Sequence, residues 1–207
     1  MTRTNQTTRT RGRYNRIAPI YDFIEAFVER AAIGAWRRQL WEQVPRARIL
    51  EVGVGTGKNM PYYPPGASVT AVDLSERMLD RARRRAAELR LDVDLCQMDI
   101  EHLGFPGETF DIAVATFVFC SVPLPVAGLR ELARVVRRDG EIWLLEHVRI
   151  DRPVAGAIMD AFNPLVVRMM GANINRRTVE NVRLAGLNLL EAADLRGQLV
   201  KLIHARS

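Results

Sequence analysis

Glu51-Val52-Gly53-Val54-Gly55-Thr56-Gly57, directly after the apolar run Arg48-Ile49-Leu50, and Ala71-Val72-Asp73-Leu74 further along decide how this chain reads. Glycines let a backbone turn sharply and approach a ligand with no Cβ in the way. An acid ending the next strand can accept both hydrogen bonds of a ribose diol. A nucleoside is implied. Dinucleotide-binding turns space their glycines as G-x-G-x-x-G, with the pyrophosphate on the N-terminus of the helix that follows. Here Gly53, Gly55 and Gly57 fall at alternate positions, and Pro61, Pro64 and Pro65 cut the following helix short. A phosphate-binding loop is excluded as well, because Lys58 is followed by Asn59 rather than by a hydroxyl residue. A nucleoside ligand without phosphates fits the turn best.

Working outward, short apolar strands alternate with helices: RILEV at 48–52, SVTAVDL at 68–74, LDVDLC at 91–96, FDIAVATF at 110–117 and EIWLLEHV at 141–148. Helical spacing fills Glu76 to Leu89 and Val126 to Val136. That rhythm predicts a parallel sheet covered on both faces. LNLLEAADL at 187–195 and QLVKLIHAR at 198–206, joined by a minimal turn at Arg196 and Gly197, predict an antiparallel hairpin at the sheet edge. The expected fold is therefore α/β, a Rossmann-like seven-stranded and mostly parallel sheet with an antiparallel C-terminal hairpin. Residues 20–44 space Ile20, Ile24, Phe27, Ala31 and Ala32 as one or two amphipathic helices. Residues 1–45 are expected to form a basic arm and helical lid, and residues 46–207 a ligand-binding domain with a substrate-side insertion at 151–177. The whole is expected to be one folded unit.

The charge of +6 is placed unevenly: Arg3, Arg9, Arg11, Arg13 and Arg16 precede the first acid, Asp22. Such an arm suits lipid or nucleic-acid phosphates, and equally a solvated terminus. No uncharged apolar run reaches membrane-spanning length, and the basic start leads into no cleavable apolar segment, so a cytoplasmic location is expected. Cys96 and Cys120 lie far apart and outside any paired motif, and His102, His147 and His204 are scattered, so no metal is expected.

With these residues in view, the chain resembles the class I S-adenosylmethionine-dependent methyltransferases over residues 46–150. EVGVGTG is similar to their first motif and AVDLSERML to their second, while CQMDIEHLGF at 96–105 is similar to their third. The resemblance implies that Glu51, Gly53, Gly55 and Gly57 belong to the turn facing the methionine part of S-adenosylmethionine. It implies that Asp73 holds the ribose, that Leu74, Met78, Met98 and Ile100 line the adenine, and that Asp99 accepts from its amino group. Thr116, in Thr116-Phe117-Val118-Phe119, would lie beside the transferable methyl, with S-adenosylhomocysteine as product. The flanks RYNRIAPIYDF at 13–23, EHVR at 146–149 and NPLVVRMMGANINRRTVENVRLAGL at 163–187 resemble bacterial phospholipid N-methyltransferases and the related quinone-ring C-methyltransferases. That narrower likeness implies methylation of phosphatidylethanolamine towards phosphatidylcholine, by a peripheral protein at the inner face of an anionic membrane. A C-methyltransferase of a ubiquinone or menaquinone precursor, or another small-molecule methyltransferase, is the alternative, and a non-catalytic nucleoside-binding module a remote one.

Individual residues read in two ways. Tyr14 and Tyr21 are acceptor-orienting lid residues or amphipathic anchors of a surface helix. His147, beside Glu146 at the end of the fifth strand, is a candidate base or a satisfied structural residue. Arg176 and Arg177 offer two guanidinium forks to an acceptor phosphate, or are ordinary loop residues. The methionine-rich helix with Ile158, Met159, Phe162, Leu165, Val166, Met169 and Met170 is core or the wall of a lipid groove. The arginines at 81–85 alternate with acids as a solvated face. Phe23, Phe27, Trp36 and Trp41 would add apolar anchors to the arm at a membrane. No nucleic-acid partner is expected, since FVFCSVP stands where amino-group DNA methyltransferases carry an Asn/Asp-Pro-Pro-aromatic motif.

Overall fold

The computed structural model describes residues 33–207 together with Thr8 and Gly12, so Tyr14, Tyr21, the arginine arm, Phe23 and Phe27 lie outside the described residues. Seven strands form one sheet: β1 (Arg48–Val52), β2 (Ser68–Asp73), β3 (Val93–Gln97), β4 (Phe110–Thr116), β5 (Val136–His147), β6 (Asn188–Arg196) and β7 (Val200–Arg206). Their spatial order is β3-β2-β1-β4-β5-β7-β6. The first five run parallel, and β7 is antiparallel to both β5 and β6. The order reverses between β1 and β4, and crevices for ligands open outside the carboxyl ends of strands at such a point.

Helices cover both faces: α1 (Gly34–Trp41), α2 (Glu76–Leu89), α3 (Pro125–Val135), α4 (Pro153–Met170) and α5 (Thr178–Leu184). Because side chains alternate across a strand, each central strand serves two cores. Leu50, Val52, Ala113, Ala115, Ile142 and Leu144 meet Leu129 and Leu132 of α3 and Val182 of α5. On the other face Ile49, Ile112, Val114, Trp143 and Leu145 meet Leu40 and Trp41 of α1. Trp41 is thus a core residue, its ring centroid 4.8 Å from that of Tyr63, and Trp36 packs partly buried beside it; neither is an outward membrane anchor.

α2 begins where the sequence places it. Ser75 Oγ accepts from Met78 N at 3.3 Å, and the acid Glu76 complements the helix N-terminus. Its arginine face is solvated, with Arg83 on Glu76 and Asp80.

Four details depart from the reading of the sequence. β5 starts at Val136 rather than Glu141, because α3 passes straight into the strand and Val136 pairs with Phe110 across an irregularity. The hairpin turns on Gly197 and Gln198 rather than on Arg196 and Gly197. Both have positive φ (54° and 68°), and Leu199 N bonds to Arg196 O at 2.8 Å, the form that matches strand twist. The segment after the GANINRR loop forms α5, whose short apolar repeat is overshadowed by the strand that follows. α4, read as core or groove wall, turns Val154, Ile158, Phe162 and Leu165 outward, each more than half exposed.

Candidate active site

At the carboxyl ends of β1 and β4 lies an open cleft, where ligands bind in sheets of this kind. Its floor is the turn after β1. Gly53 has φ +68°, and a Cβ there would strike the Val118 side chain from the β4 loop, so only glycine lets the two strand ends approach. Gly55 differs: a Cβ there meets nothing within 4 Å, so the turn leaves a hollow on its open side.

Asp73 closes the cleft from β2. Its Oδ2 accepts from Gly55 N at 2.9 Å and its Oδ1 from Ser75 N at 2.8 Å, which ties the glycine turn to the start of α2. A carboxylate has about four acceptor sites, so these bonds leave Asp73 capacity for a ligand hydroxyl. Burial pushes the Asp73 carboxyl above its ordinary range, and the backbone donors Ser75, Gly55 and Leu74 pull it back. Met98 N bonds to Asp73 O at 3.0 Å, bringing the end of β3 alongside. Leu74, Met78, Met98, Asp99, Ile100 and Thr116 also line the cleft. Of the residues singled out from sequence, these six join Gly53, Gly55 and Asp73 around one space.

Glu51 and Gly57 do not line it. Glu51 is buried behind the turn, where it accepts from Asn59 Nδ2 at 2.6 Å and from the Tyr63 hydroxyl. Burial raises its carboxyl, opposed by those bonds and by the charge of Arg37. Gly57 packs against the Met60 side chain. His147 is set back from the cleft, its ring 4.7 Å from that of Phe117, and desolvation lowers its basicity. Arg176 and Arg177 separate. Arg176 Nη2 donates to Val122 O at 2.6 Å, its Nε is buried without a partner, and burial lowers its pKa. Arg177 reaches outward to Glu180 at 3.7 Å. Both line a second depression with Arg149, Arg183, Lys201 and the acids Asp151 and Glu180, and the bond of Arg176 to Val122 O links it to the cleft wall.

The cleft also contains residues the sequence did not advertise. Arg37 of α1 is 8% exposed, donates to Asn59 Oδ1 at 2.8 Å and stands 5.8 Å from the Phe117 ring centroid. Its only sequence signal is its place one helical turn before Leu40 and Trp41. Phe117 has φ +57°, unusual for an aromatic residue. The turn it starts is held by Glu146, whose Oε1 accepts from Val118 N and Phe119 N at 2.8 and 3.0 Å. Full burial drives that carboxyl up to about 7, against the pull of those backbone donors and of Arg176. Among the described residues, no three His, Cys, Asp or Glu side chains gather as a metal would require.

A family model described as a methyltransferase domain matches residues 50–144. A solved S-adenosylmethionine-dependent methyltransferase from Thermotoga maritima, described as a possible histamine N-methyltransferase, superposes with a TM-score of 0.71 at 22% identity, covering 94% of this chain and 98% of that one. The demethylmenaquinone methyltransferase of Thermus thermophilus is 30% identical over 169 residues, 78% of this chain and 76% of that protein. The chain belongs to the S-adenosylmethionine-dependent methyltransferase family. This methyltransferase is also 43% identical over 116 residues to the phosphatidylethanolamine N-methyltransferase of Cereibacter sphaeroides. That match takes in 55% of the methyltransferase and 57% of its relative, so it spans little more than half the relative's length.

The residues of the cleft fit the cofactor that the family uses. The hollow at Gly55 would be filled by any Cβ, Asp73 retains acceptor sites facing the space, and Leu74, Met78, Met98 and Ile100 offer apolar walls for a purine.

Proposed function

We propose that this methyltransferase N-methylates phosphatidylethanolamine and its partly methylated forms at a membrane surface. The observation that carries the reading is the 43% identity to a phosphatidylethanolamine N-methyltransferase. The basic depression beside the cleft, linked to its wall by Arg176, supports it. In this reading Asp73 holds the ribose of S-adenosylmethionine, Asp99 and its apolar neighbours hold the adenine, and Gly53, Gly55 and Thr116 face the methionine part. The cofactor supplies an electrophilic methyl. The acceptor nitrogen's lone pair forms the new bond to carbon as the carbon–sulfur bond breaks, and the nitrogen's proton leaves to water.

An ammonium has no lone pair, so the acceptor must be neutral when it reacts. Phe117, Val118, Val122 and Pro123 wall the acceptor end of the cleft, with the Arg37 guanidinium 5.8 Å from the Phe117 ring, and both desolvation and a nearby positive charge lower an amine's pKa without any dedicated base. The chain's work is then to align the two reactants, which can supply most of the rate. His147 would act at most through Phe117. Arg177, rather than the interior Arg176, would meet the acceptor phosphate. Residues 1–45, with Tyr14 and Tyr21, would cover the cleft and complete one folded unit with residues 46–207.

A second reading, C-methylation of a quinone precursor, is favoured by the identity to the Thermus thermophilus enzyme over three-quarters of both chains. Labelled cofactor should be offered with phosphatidylethanolamine and with a demethylated quinone, each in mixed micelles. Label in an N-methylated lipid is expected. Turnover of the quinone alone would replace the first reading by the second.

A further inference from the structure

A surface helix ordinarily turns its apolar stripe towards its own protein. α4 does the reverse. Val154, Ile158, Phe162 and Leu165 are 74%, 54%, 57% and 54% exposed, and at 100° per residue they share an arc of about 80°. The opposite side rests on the protein through buried Gly156 and Met159, and polar bonds along its edge hold it there. Asp160 accepts from Arg149 Nη2 at 2.8 Å and from Asn175 Nδ2 at 2.9 Å. Asn163 Nδ2 donates to Asn173 Oδ1 at 3.1 Å, and Asn163 Oδ1 accepts from Ile174 N at 2.9 Å.

We propose that α4 is an interfacial helix that lays this outward stripe into the surface of an anionic phospholipid bilayer. Its charges complement such a surface. Arg149 at its start, exposed Arg152 before its first turn and exposed Arg168 in its last outnumber the acids Asp151 and Asp160, and Asp160 is already held by Arg149 and Asn175. This combination of an apolar face with arginine ends suits a helix lying in the headgroup region. No helix among the described residues is long and apolar enough to cross a membrane. A second copy packed through the same stripe would set arginine against arginine at the helix ends. The inner side of α4 is linked to the cleft: Asn173, which bonds to Asn163, donates through N and Nδ2 to Cys120 O at 2.8 and 3.0 Å, next to Ser121 and Val122 in the cleft wall.

The inference rests on the lipid-acceptor reading, but its test needs neither cofactor nor turnover, so failure here and failure of the acceptor assay are separate results. The full chain is sedimented with vesicles of equal phosphatidylglycerol and phosphatidylcholine, and with phosphatidylcholine alone. Binding to the anionic vesicles is expected. Replacing Ile158, Phe162 and Leu165 together by serine should raise the lipid concentration for half-binding by about tenfold or more, with the thermal midpoint kept. In a separate variant, Phe162→Trp should give emission that shifts to the blue on the anionic vesicles. Three outcomes would overturn the proposal: no binding by the wild-type chain, equal binding by the triple variant, or a wild-type dimer that the triple variant dissolves.

Discussion

Glu146 Oε1 accepts the backbone N–H of Val118 at 2.8 Å, so the end of β5 holds the turn after β4 that closes over Gly53. The carboxyl that does this is fully buried and titrates at about 7 instead of 4.5. The folded chain therefore binds more protons than the unfolded one between those values, and stability falls as pH rises through that window. The displacement is worth about 3 kcal/mol. Glu146→Gln keeps an oxygen for Val118 and Phe119 but does not ionise. Denaturant midpoints compared at pH 5 and pH 8 should show a smaller loss in the variant than in the wild type. Equal losses would mean that Glu146 does not titrate in this way.

Gly53→Ala tests the approach of the same two strand ends. Its φ of +68° and the collision of a Cβ with Val118 make the substitution costly. Strain and overpacking together should remove about 2–4 kcal/mol of stability. Gly55→Ala shares the positive φ (+56°) but meets open space, so it should cost less stability, about 1–2 kcal/mol, and lose affinity for S-adenosylmethionine as well. Thermal midpoints and calorimetric affinities of the two variants separate the effects, and a reversed pattern would reverse the roles.

Asp73→Ala should weaken S-adenosylmethionine binding by about one to two orders of magnitude, from loss of roughly 1.5–3 kcal/mol of hydrogen bonding to a charged acceptor. The variant also loses the bonds to Gly55 N and Ser75 N, so a modest fall in stability should accompany it. Equal calorimetric affinities would remove Asp73 from the ribose site.

Arg176 and Arg177 should behave differently despite adjacency. Arg176→Ala strips Val122 O of its bond and Glu146 of a neighbouring positive charge, so it should destabilise by about 1–3 kcal/mol and move the Glu146 titration higher. Arg177→Ala, on an exposed side chain, should leave stability within about 0.5 kcal/mol. If Arg177 meets the acceptor phosphate, its loss raises the acceptor KM and spares kcat. Melting curves with lipid-dependent kinetics distinguish the two.

What was legible in the sequence follows from what local pattern can carry. Seven strands, α2 to the residue, and the cluster of Gly53, Gly55, Asp73, Met98 and Asp99 all announce themselves through periodicity and turn chemistry, which act within a few residues. Arg37 and Glu146 do not. Each owes its role to a partner far along the chain, Asn59 or the Val118 turn, and a charged residue inside an amphipathic or apolar run carries no sign that it points inward. The same limit explains α4. Its apolar spacing was plain, but whether that face met the core or the outside depended on Asp160 and Asn163 finding Arg149 and Asn173.

The position of β7 bears on how this sheet assembles during synthesis. β5 emerges early but rests against β7, whose residues 200–206 follow α4, α5 and all of β6. Until that last strand is made, β6 has no neighbour and Ile142 and Leu144 lack their cover from Ile203 and Ala205. Loss of β7 thus unpairs β6 and leaves β5, paired with β4 alone, as an open edge. Closing so long a loop makes this half of the sheet the slow half to form. A chain cut before Val200 should therefore aggregate rather than fold, which solubility and circular dichroism would show.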